Sequence, residues 1–289
     1  MKLKNVNVEL LNEVLREMNA DFTAEETVVD KPEETLEGFN LKSEGSNISP
    51  TVYIAGYPDY MTEGELATEL MNIYKTHSLS IEPNVIRNLM TRDNILNTVL
   101  PRLTNAKNVD RLTSADTVYT GFLDLAIIYY IPVSAGKDNG AITLKNPHLE
   151  YAKINKTELH KHAIENLEKE FHYESMFDAL SRMVDGAPFE DDGTTPAMYV
   201  MSNNRMHHGA SVILTQKFKD TIKMLFGEKG AVVIPSSIHE VLVVDNNDDV
   251  IGMSNMIKEV NETQVSANEV LSDHPYFATP SGISLDPIK

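Results

Sequence analysis

The 289-residue chain has no cysteine and no tryptophan. Without thiols there can be no disulfide, no thiolate nucleophile, no cysteine-built zinc finger and no iron–sulfur cluster. That is compatible with a reducing compartment, and the expectation is a cytoplasmic protein. Long apolar runs are also missing. The longest, from Phe122 to Val133, is interrupted by Asp124 and Pro132, well short of the roughly 18 residues that span a bilayer. The first residues, Met1 to Asn19, mix polar and apolar side chains at helical spacing rather than forming a signal peptide. Basic residues are scarce: 25 Lys and Arg stand against 43 Asp and Glu, a formal charge of −18. Phosphate backbones are held by cations that release counterions, so nucleic acid is an unlikely partner and a basic protein is the expected one. The plain alternative is that the charge serves solubility. The usual catalytic signatures are absent too, with no phosphate-cradling glycine loop, serine elbow or H-E-x-x-H pair. No motif names a cofactor, and none is assigned; the metal expectation is none.

What is present reads as α+β, with largely antiparallel sheets covered by helices, because most strand-like runs are separated by short turns. Asn5 to Asn19 carries Val6, Leu10, Leu11, Val14, Leu15 and Met18 at helical period. Thr27 to Val29, Thr35 to Leu41 and the TVYI run after Pro50 read as strands. Thr62-x-x-Glu65 is a capping box that opens a helix from Glu63 to His77, and a shorter helical piece is expected near Pro83. Asn94 to Arg102 and Val118 to Val133 read as strands, the second apolar on both faces as a strand between two layers would be. Ala141 to Leu144 is its return strand. Asn146 to Val184 has helical periodicity throughout. Residues 185–196, with two prolines, two glycines and four acids, suggest a linker between a region 1–184 and a region 197–289. After it come strand (Ala197 to Met201), strand (Ala210 to Leu214), helix (Gln216 to Phe226), strand (Ala231 to Ile234), strand (Ile238 to Val244) and helix (Asp249 to Gln264). A last short helix is expected at Ser266-x-x-Glu269.

Chemistry is concentrated in VVIPSSIHEVLVVDN, residues 232–246. If His239 and Glu240 lie on a strand they point to opposite faces, so at least one of them meets packed apolar surface and needs a partner. A structural role is open: Ser236 and Ser237 cap the turn while His239 and Glu240 bind backbone at the sheet rim. A functional role makes His239, Glu240 and Asp273 catalytic candidates, with Ser236 and Ser237 as ligand contacts, because perturbed titratable groups collect at sites. The run SNNRMHHGA, residues 202–210, adds Asn203, Arg205 and His207 as binding candidates. Adjacent histidines on a strand would diverge, so only one of His207 and His208 is expected at any one ligand. Two functions compete. One is an acidic protein-binding or regulatory protein. The other is a hydrolase or nucleotide-handling enzyme, which requires His239, Glu240 and one of Arg205, His207 or Asp273 to converge on a pocket.

Six phrases occur in order: ISPTVYI, FLDLAIIYYIPV, KNPHLEYAKI, MYVMSNNRMHHGASVIL, IPSSIHEVLVV and VNETQVSANEVLSDHPY. Together they resemble DUF5688, a family of uncharacterised proteins from bacteria and their mobile elements. The resemblance spans nearly the whole chain and implies a single evolutionary unit. It implies no activity, cofactor or site.

Overall fold

The computed structural model describes residues 2–44, 49–77, 87–135, 138–183, 197–246 and 250–285. The expected helix near Pro83 and the acidic stretch 185–196 lie outside the described residues. The chain groups into two compact units, Met1–Thr91 with Val133–Gly140, and Arg92–Pro132 with Ala141–Lys289. The fold is mixed α+β, with three antiparallel sheets among the described residues. No helix among them is long and apolar enough to cross a membrane.

The first unit holds α1 (Val8–Glu17), β1 (Phe22–Asp30), β2 (Thr35–Ser43), β3 (Thr51–Tyr53) and α2 (Glu63–His77). The strands form an antiparallel sheet in the order β1-β2-β3. The period of α1 buries Leu11 and Leu15 against Phe39 and Leu41 of β2 and Leu66 and Leu70 of α2. Asn12 stitches helix to strand, donating to Ala24 O at 2.9 Å and accepting from Ala24 N at 2.8 Å. The Thr62 box forms as read: Glu65 N donates to the Thr62 hydroxyl at 3.3 Å, and Thr62 N donates back to the Glu65 carboxylate at 2.9 Å.

The second unit begins with α3 (Arg92–Thr98) and β4 (Leu100–Asn105), followed by α4 (Val109–Ser114), β5 (Tyr119–Phe122), the part of β6 (Leu125–Ala135) up to Pro132 and the part of β7 (Asp138–Thr143) from Ala141. The expected strand from Asn94 to Arg102 is thus half helix. Ile95, Leu96 and Val99, all buried, share one helical face. Asn166 closes that helix by donating to the carbonyls of Leu96 at 2.9 Å and Val99 at 3.1 Å. The sheet runs β4-β6-β5 with β7 also on β6. Leu125 to Ile131 is buried at every position, as expected of a strand covered on both faces.

Next come α5 (Asn146–Ala152), α6 (Lys156–Glu170), β8 (Phe171–Ser175), α7 (Met176–Met183) and β9 (Met198–Asn203), then α8 (Gln216–Phe226), β10 (Ala231–Ile234), β11 (Val241–Asp245), α9 (Val250–Thr263), β12 (Tyr276–Thr279) and β13 (Gly282–Ser284). Six strands form one antiparallel sheet in the order β13-β12-β10-β11-β9-β8. Four expectations are corrected here. The helical stretch from Asn146 is broken by β8, which pairs with β9 over Phe171↔Asn203 to Ser175↔Tyr199. The segment Gly209–Leu214 is a 3-10 helix rather than a strand. Residues 238–240 lie outside β11. Residues 267–269 form a turn, not a helix.

Candidate functional site

The site is built where β9 and β10 end, within the second unit. Asn203, almost fully buried, winds the loop after β9 around its own side chain. Its Oδ1 accepts from Arg205 N at 3.0 Å and His207 N at 3.3 Å, and its Nδ2 donates to His207 O at 2.9 Å. Expected as a ligand contact, Asn203 is occupied by its own loop. Arg205 is drawn aside by Glu170, with Nε and Nη2 bonded to the two carboxylate oxygens at 2.9 and 2.7 Å. Met206 and His208 adopt left-handed backbone, φ 50° and 54°. This bends the loop so that the rings of His207 and His208 face each other, centroids 3.9 Å apart. The divergence expected of a strand does not apply.

The second wall is the turn 235–240. Ser236 and Ser237 hydroxyls both donate to Glu240 Oε1, at 3.0 and 3.1 Å, and His239 N donates to the Ser237 hydroxyl at 3.0 Å. Ile238 is the apolar anchor, buried, with its N–H on Glu269 O at 3.0 Å and its carbonyl accepting from Ala210 N at 3.3 Å. The His239 carbonyl accepts from the Ser202 hydroxyl at 2.8 Å, and His239 Nδ1 accepts from His208 N at 3.2 Å. A neutral imidazole whose Nδ1 accepts carries its proton on Nε2. That nitrogen lies 3.5 Å from Glu269 Oε1.

Between the walls lies an open cleft of about 420 Å³, lined by Met206, His207, Ser236, Ser237, His239, Glu240, Gln264, Val265 and Glu269. Of the residues expected at a site, His207, Ser236, Ser237, His239 and Glu240 meet here. Asn203, Arg205 and Asp273 are not among its walls. Asp273 instead accepts from Asn261 Nδ2 at 2.9 Å. The carboxylate beside His239 is that of Glu269, which the sequence offered only as the end of a helix cap. His208 was set aside in sequence because strand geometry would turn it away. The positive φ of Met206 and of His208 is not legible in SNNRMHHGA.

The three imidazoles form one cluster, with His207–His239 centroids at 4.9 Å and tilted by 37°, and His208–His239 at 5.6 Å with ring planes 11° apart. His208 also meets the Tyr130 ring edge-on at 5.6 Å. Burial, the nearby Arg102 guanidinium and the two neighbouring imidazoles push His208 down to about 2. Burial first, then His239 and Arg102, hold His207 below the ordinary range, against a smaller opposite pull from Glu269. No group of three or more His, Asp or Glu among the described residues is arranged to hold a metal ion.

Unfolded, His208 titrates near 6.5; folded, it stays neutral down to about 2. The unfolded chain therefore takes up the proton first, and stability falls as pH drops below 6.5. One such group costs about 1.4 kcal/mol per pH unit across that window, or ~2 kcal/mol at pH 5. Urea titrations at pH 7.5, 6 and 5 measure the slope. His208→Asn, which tolerates left-handed backbone, is expected to flatten it, leaving the smaller contributions of His207, His148 and His160, all lowered by burial.

Residues 4–278 match a family of unknown function, DUF5688. No curated protein and no solved structure matches the chain. The match covers nearly its whole length, and the chain belongs to this family.

Proposed function

We propose that this DUF5688 protein is a cytoplasmic, non-catalytic binding or regulatory protein of bacteria or their mobile elements, whose partner is a basic protein. The cleft beside the 235–240 turn receives a cationic side chain of that partner. One observation carries the reading: the cleft walls contain two carboxylates, Glu240 and Glu269, and neither lysine nor arginine. Burial, then His239 and Arg102, hold the His207 imidazole below its ordinary range, which favours its neutral form, so it adds an aromatic face with little opposing charge. A guanidinium or ammonium entering a partly desolvated acidic cleft gains charge-assisted hydrogen bonds. The overall charge of −18 steers such a partner inward.

A nona-arginine peptide is a direct probe. Calorimetric titration at low salt is expected to show binding that weakens as salt rises. The double variant Glu240→Gln, Glu269→Gln is expected to lose at least about tenfold in affinity, roughly 1.4 kcal/mol. Glu13→Gln with Glu17→Gln on α1 removes the same net charge elsewhere and serves as the control. Equal losses in the two variants would reduce the effect to bulk charge and end the assignment of the cleft. The enzyme alternative needs a base. Both His239 nitrogens already have partners, which leaves His207 as the imidazole for that role.

A further inference from the structure

We propose that the contact between residues 202–210 and the 235–240 turn is a proton-operated latch, with His239 Nδ1 as the acceptor whose protonation opens it. The latch is small. His208 N donates to His239 Nδ1 at 3.2 Å, the Ser202 hydroxyl to His239 O at 2.8 Å, and Ala210 N to Ile238 O at 3.3 Å. The first bond alone runs to a titratable atom. A proton taken from water by Nδ1 removes the lone pair that accepts from His208. Two N–H groups would then point at each other, so the bond must break.

The surroundings decide which way the ring goes. From the 203–208 loop come the His207 and His208 imidazoles; from β4, Arg102; from β6, Tyr130 against His208. Arg102, whose charge already acts on both loop imidazoles, opposes a further positive charge on this side. On the cleft side stand Glu240 of the same turn and Glu269, whose carboxylate is already 3.5 Å from His239 Nε2, with Gln264 beside them. The imidazolium therefore leaves the loop and turns to Glu269. It takes the place that the function reading gives to a partner's cation, so acidification both unlatches the wall and fills the cleft from within.

The test uses the full chain without ligand. At pH 7.5, nitrogen-15 shifts are expected to show His239 protonated on Nε2 and bare on Nδ1. Hydrogen exchange of the His208 amide, corrected for its intrinsic rate, is expected to lose at least tenfold in protection between pH 7.5 and 5.5, beyond any change at Val243 in β11. His239→Asn places a non-titrating oxygen where Nδ1 lies and is expected to abolish that excess. A proton on Nδ1 at pH 7.5, or equal His208 and Val243 responses, overturns the latch. Should the variant not fold, the tautomer and the wild-type exchange still decide. Because no peptide is present, an intact latch with no nona-arginine binding at pH 7.5 would sink the function reading alone.

Discussion

Gly209→Ala is expected to lower unfolding stability by ~3 kcal/mol or more, at the upper end of what overpacking costs. A Cβ on this residue would stand 2.0 Å from Ser202 Oγ, 2.6 Å from His239 O and 2.7 Å from Asn203 N. Two of these atoms are backbone and cannot rotate away. The third is held by its own bond to His239 O at 2.8 Å, and losing that bond adds ~1 kcal/mol. The only relief is to push the end of β9 away from the 235–240 turn. Both consequences are measurable: a lower urea midpoint, and loss of whatever the cleft binds. A Gly209→Ala protein as stable as its parent would mean that the two walls are not in contact.

Asp124→Ala is expected to cost a similar amount, by the opposite mechanism. Asp124 sits in the turn between β5 and β6 and accepts from Ser272 Oγ on Oδ2 and from Tyr276 OH on Oδ1, both at 2.7 Å. Ser272 and Tyr276 are fully buried. Truncating the acid takes the acceptor away from two buried hydroxyls, at ~1–3 kcal/mol each before water enters, so ~3 kcal/mol is the expected total. Burial, reinforced by the Asp124 carboxylate, holds the Tyr276 phenol protonated well above its ordinary range. Tyr276→Phe, which leaves Asp124 its serine donor, is expected to lose about half as much. Denaturant unfolding of the two variants side by side checks the ratio, and equal costs would contradict the account.

Much of the fold was legible because burial follows period. The stripe of α1 and the Thr62 box formed where the pattern put them; the doubly apolar run formed as β6, but the single strand expected from Val118 to Val133 is a hairpin, β5 and β6, that turns at Leu123 and Asp124. The misreadings share one cause: short apolar runs fit more than one period. Ile95 to Val99 reads as strand until Asn166, some 70 residues on, is seen closing it as a helix. Ala210 to Ile213 is buried throughout and gives no alternation to distinguish strand from 3-10 turn. At the site, the serine pair with His239 and Glu240 was visible as polarity out of place in an apolar run. Glu269 and His208 were not, because one arrives from 29 residues away and the other depends on two left-handed residues. Arg205 and Asp273 looked functional for their charge, and each was claimed by a nearer partner, Glu170 and Asn261.

The bond between Asp124 and Tyr276 joins residues 152 positions apart. At ~5–20 residues per second on the ribosome, the carboxylate emerges roughly 8 to 30 s before the hydroxyl that it binds. Only in the last part of that interval, after residue 234, does the nascent chain carry β10 with no β12 at its side, and until residue 269 is made the cleft lacks Glu269. The segment that brings Glu269 and β12 is thus made after the strands and the cleft walls it joins, and a chain stalled before it would expose an unpaired, strongly apolar edge of β10 to the cell.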